Sequence, residues 1–299
     1  MIQISNITKY YDKVKSLDSV TATIKDGSIF GLVGSNGSGK STLLRIMSGI
    51  FRADGGEVLY DGENVYENVK LKNKLVYLSD DQYFLSSSTI DDMANLYASI
   101  YADFSREDYA RLLDLFGLDR FRKISTFSKG MQKQTAILLG LSARPQYLLC
   151  DETFDGLDPV MRRMVKRLFA DAVESRGMTA IIASHNLREL EDICDHIGLL
   201  HKGGILFENE IDSLKENIYT AQAAFSRKIE IEEIARLGTV SIKQRGSMVT
   251  AVIRGSEDDV RAKMQTLAPD FLEIIPLTLE EIFISEMEER GYDYSKIVF

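Results

Sequence analysis

Residues 29–41 read Ile29-Phe30-Gly31-Leu32-Val33-Gly34-Ser35-Asn36-Gly37-Ser38-Gly39-Lys40-Ser41, an apolar run that breaks into glycines and ends on a lysine and a hydroxyl. The last eight fit G-x-x-x-x-G-K-[ST], and the residues that follow, with Leu43, Leu44, Ile46, Met47 and Ile50, continue at helical spacing. Strand, loop and helix in that order are the setting a phosphate-binding loop needs. Ser35, Asn36, Gly37, Ser38 and Gly39 can turn successive backbone N–H groups toward phosphate oxygens. Lys40 can reach the β and γ oxygens, and the Ser41 hydroxyl suits Mg²⁺, with Thr42 beside it at the positive helix end. A glycine-rich loop arising by chance has no reason to stand between a strand and a helix.

Outward from that loop, short apolar runs at 75–78, 147–150 and 180–183 are bounded by polar or turn residues and read as fully buried parallel strands. The fold class is therefore α/β with a phosphate-loop core. The second run delivers Asp151 and Glu152 at its C-terminal end, where open α/β sheets bind ligands. Asp151 is the natural Mg²⁺ partner, and Glu152 can orient and polarise an attacking water. Taken alone, such a pair is more often a charge feature at a helix start.

Between these strands, residues 89–141 carry helical periodicity, as at Leu112, Leu113, Leu115 and Phe116, and predict a helical subdomain over about 83–143. A helix with Leu187, Leu190, Ile193 and Cys194 on one side leads to a hairpin at Lys202-Gly203-Gly204. The charged stretch 211–217 then reads as a linker, so a first domain spans 1–215. The tail, 216–299, reads strand (220–225), helix (229–237), two strands about Arg245-Gly246-Ser247, helix (258–267) and strand (272–276). That βαββαβ order is a small ferredoxin-like α+β domain, followed by a last helix from Thr278 whose Glu281 completes a capping box.

Composition narrows the class further. At 299 residues and 44% hydrophobic, the chain can bury real cores, and its two cysteines, Cys150 and Cys194, fit a reducing compartment. A net charge of −9 without a basic block argues against a nucleic-acid partner. The first residues lack the pattern of a signal peptide, and no run approaches the ~20 apolar residues needed to cross a bilayer. A cytosolic chain is expected.

Five further segments complete a resemblance. Phe127-Ser128-Lys129-Gly130-Met131-Gln132 precedes Asp151 and looks like a variant of L-S-G-G-Q, the signature of ABC ATPases. Gly156-Leu157-Asp158-Pro159 resembles that family's D-loop, Ser184-His185-Asn186 its switch histidine, and Tyr11 the aromatic that stacks on adenine. Each is weak alone, but they occur in the family's order over residues 1 to about 215. The tail ending Leu279-Glu280-Glu281-Ile282-Phe283-Ile284 is similar to that of exporter ATPases of the bacitracin-resistance group.

The resemblance implies an ATP-hydrolysing subunit using ATP and Mg²⁺, with Glu152 and His185 catalytic and Ser41 and Asp151 holding the metal. Ser128, Lys129, Gly130 and Met131 would act in trans on the nucleotide of a second copy or a homologous ATPase subunit, with Asp158 at the dimer interface. A separate transmembrane permease would carry a peptide, antibiotic or lipid-like cargo, placing this chain on the cytoplasmic face of the membrane. One departure is plain: where the family usually has a Q-loop glutamine, this chain has Asp80, with Gln82 two residues late. Both are candidate nucleotide contacts, and Asp80 a candidate Mg²⁺ ligand.

Rival readings are a soluble ABC protein of translation or repair, and a regulatory protein without turnover. A single phosphate loop without sustained heptads disfavours the first, and intact Lys40, Asp151, Glu152 and His185 disfavour the second. A metal at Cys194, His196 and His201 is not expected, and Arg162, Arg163, Lys166 and Arg167 read as a solvated helix face.

Overall fold

The computed structural model describes residues 1–215 and 218–289. The chain divides into two compact units between Glu208 and Asn209.

In the first unit, β1 (Ile2–Tyr11), β2 (Val14–Ile24), β4 (Gly55–Tyr60) and β5 (Glu63–Asn64) form an antiparallel sheet in the order β2-β1-β4-β5. A second sheet is built from β3 (Ile29–Val33), β6 (Leu75–Leu78), β7 (Tyr147–Asp151), β8 (Thr179–Ser184), β9 (His196–His201) and β10 (Gly204–Glu210), in the order β10-β9-β3-β8-β7-β6. Strands β9, β3, β8, β7 and β6 run parallel. Strands β3, β7 and β8 are buried at every position, which is why they read as continuous apolar runs.

One core joins the two sheets. Phe30, Leu32, Leu149, Ile181 and Ala183 from the parallel sheet meet Ile2, Ile4, Leu17 and Val20 from the antiparallel one. Leu43, Leu44, Ile46 and Met47 of α1 (Lys40–Met47) pack into the same core. Truncating a fully buried side chain such as Leu44 would cost about 2–5 kcal/mol. Tyr60 ties the layers, its ring 4.6 Å from that of Tyr147 and its hydroxyl donating to the Met47 carbonyl at 2.8 Å. Ile50 lies beyond α1 and is exposed, because the helix has already ended at Met47.

After the single-turn connector α2 (Val69–Lys72), the helical subdomain consists of α3 (Ile90–Ile100), α4 (Arg106–Phe116) and α5 (Lys129–Ser142). Thr89 and Asp92 form the capping box of α3, and Ser105 caps α4, which stops at Gly117 in a left-handed conformation. Leu115 faces outward, while Leu112, Leu113 and Phe116 are buried. Helix α6 (Pro159–Arg176) starts on the Asp158 cap with Pro159 at its first position and ends at Gly177. Helix α7 (Leu187–Glu191) is shorter than the pattern suggests. Ile193 and Cys194 fall in the following turn, whose Cys194 N–H still bonds the Leu190 carbonyl.

The second unit contains α8 (Ile211–Lys215), β11 (Ile218–Ala224), α9 (Ile231–Ala235), β12 (Thr239–Arg245), β13 (Met248–Arg254), α10 (Glu257–Gln265), β14 (Phe271–Pro276) and α11 (Leu279–Glu289). Its antiparallel sheet has the order β12-β13-β11-β14. Ala221, Ala223, Val249, Ala251 and Ile253 pack on Ile234 of α9 and on Val260 and Met264 of α10. The Thr278 hydroxyl and Glu281 carboxylate exchange the bonds of a capping box at α11.

The stretch read as a linker is in part helix α8, whose Leu214 packs with Ile218, Leu277 and Ile282. The unit boundary therefore falls before Ile211 rather than after residue 215. Residues 216 and 217 of that stretch, and 290–299 of the tail, lie outside the described residues.

Candidate nucleotide-binding and hydrolysis site

The C-terminal ends of β3, β7 and β8 bring the candidate residues together. The loop after β3 enters α1 through Gly39, at φ +109°, where a Cβ would stand 2.8 Å from the Ser16 carbonyl oxygen and from Leu17 Cδ2. Only glycine fits there. Lys40 folds back over the loop and donates to the carbonyls of Gly34 at 2.7 Å and Ser35 at 3.3 Å. Ser16, Asn36, Gly37, Gly39, Lys40, Ser41, Thr42, Asp80 and Glu152 line a cleft of about 250 Å³. Ser16 belongs to β2 and its hydroxyl donates to Thr42 Oγ1 at 3.1 Å, so the antiparallel sheet supplies one wall. Ser35 and Ser38 shape the loop through the Ser38 N–H to Ser35 carbonyl bond.

Asp151 ends β7 fully buried. The Tyr77 hydroxyl donates to its Oδ2 at 3.1 Å, and Oδ1 has no hydrogen-bond partner. Burial pushes the carboxyl above the usual carboxylate range, against the pull of the nearby Ser41 hydroxyl and of Tyr77. A buried carboxylate oxygen without a donor, next to a hydroxyl in the cleft, has the chemistry a hard divalent cation satisfies. Ser41 and Asp151 therefore fit Mg²⁺. Asp80 lines the same cleft, and its exposed carboxylate pairs through Oδ1 with Lys133 Nζ at 3.0 Å.

Glu152 is held from several sides. Its Oε1 lies 3.3 Å from Lys40 Nζ, and its Oε2 lies 2.9 Å from His185 Nδ1. The His185 N–H also approaches Oε2, at 3.4 Å. Glu152 has a positive φ of 47°, uncommon for a side chain with a Cβ. Asp155, Glu152 and His185 place ligand atoms within 4.8 Å of one another, which makes a small acidic and imidazole cluster beside the cleft. Behind His185, Ser184 donates to the buried Glu189 carboxylate at 3.0 Å, and Arg162 stands 3.4 Å from Glu189. Arg162 and Lys166 are thus tied to the switch segment, with Lys166 3.5 Å from Asp192, rather than forming a purely solvated face.

Gln82 turns away, its amide donating to the Ser79 carbonyl. Tyr11, at the end of β1, is exposed and edge-on to Phe51, with ring centroids 6.3 Å apart; it does not line the cleft. Ser128 caps α5, accepting the Met131 N–H at 3.2 Å, and Lys129, Gly130 and Met131 form the first turn. None of the four lines the cleft of its own chain. Asp158 caps α6 through the N–H groups of Val160 and Met161. Sequence reasoning missed Lys133, Tyr77, Asp155 and Glu189. A polar residue inside an apolar helix was the available signal for Lys133.

A glycine cradle, a lysine across it, an orphaned metal-type carboxylate and a Glu–His pair define a phosphate-loop ATPase site. Residues 17–155 match the family model described as ABC transporter. The chain is 32% identical over 286 residues to the ABC transporter ATP-binding protein YtrB of Bacillus subtilis, covering 96% of this chain and 98% of that one. It is 31% identical over 219 residues to the bacitracin transport ATP-binding protein BcrA of Bacillus licheniformis, covering 72% of each. Among solved structures, the dimeric post-hydrolysis state of the ATP-binding cassette MJ0796 with ADP and Pi has a TM-score of 0.64 at 22% identity. That likeness covers 71% of this chain and 99% of that one. The chain belongs to the ABC transporter ATP-binding proteins and is an ATPase subunit of such a transporter. No helix among the described residues is long and apolar enough to cross a membrane.

Proposed function

We propose that this subunit drives export of a peptide antibiotic or a similar amphipathic cargo through a separate transmembrane permease, from the cytoplasmic face of the membrane. BcrA and the lantibiotic transport protein SrtF of Streptococcus pyogenes, 29% identical over 232 residues, are the relatives that support this cargo class. The loop that follows Asp80 exposes Tyr83 and Leu85, apolar surface suited to a protein partner.

In the proposed cycle, Lys40 and the loop N–H groups bind the β and γ oxygens of ATP, and Tyr11 stacks on the base. Mg²⁺, held by Ser41 and Asp151, would neutralise charge at those oxygens. Glu152 polarises the attacking water, and His185 holds Glu152 Oε2 in place. The observation that carries the two-copy reading is the position of Ser128. It heads a helix with a positive end and a hydroxyl, yet stands outside the cleft containing Lys40 of the same chain. A second copy facing it, with Asp158 at the interface, gives that donor set a γ-phosphate.

The test is reconstitution with the co-purified membrane subunit in vesicles. ATP hydrolysis should rise several-fold when a cyclic or lantibiotic peptide is added, and peptide should move only with active ATPase. Hydrolysis indifferent to both membrane subunit and peptide would remove the export reading.

A further inference from the structure

Lys133 lies in the second turn of α5 and is buried, a costly place for an ammonium unless it is paired. Its Nζ makes two contacts that join separate parts of the site. One is the ion pair to Asp80 Oδ1 at 3.0 Å, and the other is a hydrogen bond donated to the carbonyl oxygen of Glu152 at 2.7 Å.

Glu152 needs such a partner. Its left-handed backbone, at φ +47°, is strained for a residue with a Cβ and persists only where the surroundings fix it. Its N–H donates to the Ala183 carbonyl at 3.0 Å, and its carbonyl accepts from the Asp155 N–H at 3.3 Å and, at shorter range, from Lys133. That twist sets the direction in which the side chain leaves β7 toward Lys40 and His185. Asp80, which stands where a glutamine is expected, is the counter-charge that Lys133 pairs with.

We propose that Lys133 is a positioning residue for hydrolysis, coupling the Asp80 loop to the Glu152 backbone so that movement of the loop changes the aim of the carboxylate. The proposal rests on the reading of Glu152 as the water-polarising group. It accounts for the Asp80 departure: a carboxylate there anchors the ammonium, which an amide would do more weakly.

The test compares Lys133→Met, Asp80→Asn, Glu152→Gln and the double variant Lys133→Met/Glu152→Gln in the full chain. Lys133→Met should lower kcat by about 10- to 100-fold while ATP affinity by calorimetry changes less than about threefold, because Lys133 does not itself line the cleft. In the Glu152→Gln background the same change should lower residual turnover no further, since it acts through Glu152. Asp80→Asn, at an exposed position, should lower kcat several-fold with an unchanged Mg²⁺ half-activation. It decides the matter if Lys133→Met fails to fold. Wild-type kcat in Lys133→Met, or in Asp80→Asn, beside an inactive Glu152→Gln overturns this proposal alone, as does an equal fold-loss in both backgrounds. Full turnover in Glu152→Gln overturns the base assignment and this proposal with it.

Discussion

Lys40 Nζ stands 2.7 Å from the Gly34 carbonyl oxygen and 3.3 Å from Glu152 Oε1, so a single ammonium bridges the phosphate loop and the carboxylate at the end of β7. Phosphate oxygens and Glu152 compete for the same cation. Replacing Glu152 with glutamine should therefore slow turnover by about 100-fold or more while ATP affinity is unchanged or rises several-fold. Single-turnover kinetics beside calorimetry check both halves. Lys40→Ala should act the other way, abolishing measurable nucleotide binding.

The buried Asp151 gives a stability prediction with a definite sign. Its carboxyl is raised in the folded chain by burial, so above the ordinary carboxylate range the folded state holds the extra proton. Its contribution to stability falls as pH rises from that ordinary range through the raised value, and stays lowered at neutral pH. Asp151→Asn should then melt a few degrees higher than wild type at pH 7 without nucleotide, with the difference shrinking toward pH 4. The variant should also lose the Tm increase that Mg²⁺ with ATP gives the wild type. A lower melting point for the variant at pH 7 would contradict the assignment.

Gly130 offers a steric test of the signature turn. A Cβ there would lie 2.9 Å from the Gly156 carbonyl oxygen, a backbone atom that cannot swing aside. Gly130→Ala should destabilise the fold by about 1–3 kcal/mol and reduce ATPase activity, because the turn after Ser128 and the loop before Asp158 would be forced apart. Thermal melts and steady-state rates read the two effects separately.

The two units each hold their own core, around Leu32 and Leu44 in one and around Ala251 and Met264 in the other. A chain ending at Glu210 should unfold cooperatively and still bind ATP. Ending it at residue 215 instead leaves Leu214 without Ile218, Leu277 and Ile282, and should give a stickier, less stable product. An unfolded shorter chain would show that the cores depend on each other.

Much of this architecture was legible because its signals are local. Fully buried strands such as Tyr147–Asp151 leave unbroken apolar runs, and the phosphate loop must place glycines and a lysine at fixed spacing. The antiparallel sheet was harder to read. In β2 the buried residues Leu17, Val20, Ala22 and Ile24 are interrupted by a left-handed Ser19 and slips in register against β1, which blur a period of two. Asp80 was legible as a departure but not as a partner. The 53-residue separation between it and Lys133 is closed only when α5 packs beside β6. Tyr77 and Glu189 were hidden for the same reason, since each acts across elements and belongs to no motif.

The shared site is tested most directly by light scattering of Glu152→Gln protein with and without ATP. Gly37, Gly39 and Lys40 line one chain's cleft while Ser128 heads α5 outside it, so ATP should join two copies and the removal of the γ-phosphate should release them. The account predicts a shift from monomer to dimer mass on adding ATP, abolished when Ser128→Arg is added to the same chain. A Glu152→Gln protein that binds ATP by calorimetry and yet keeps its monomer mass at high concentration, with its membrane subunit present, would contradict it.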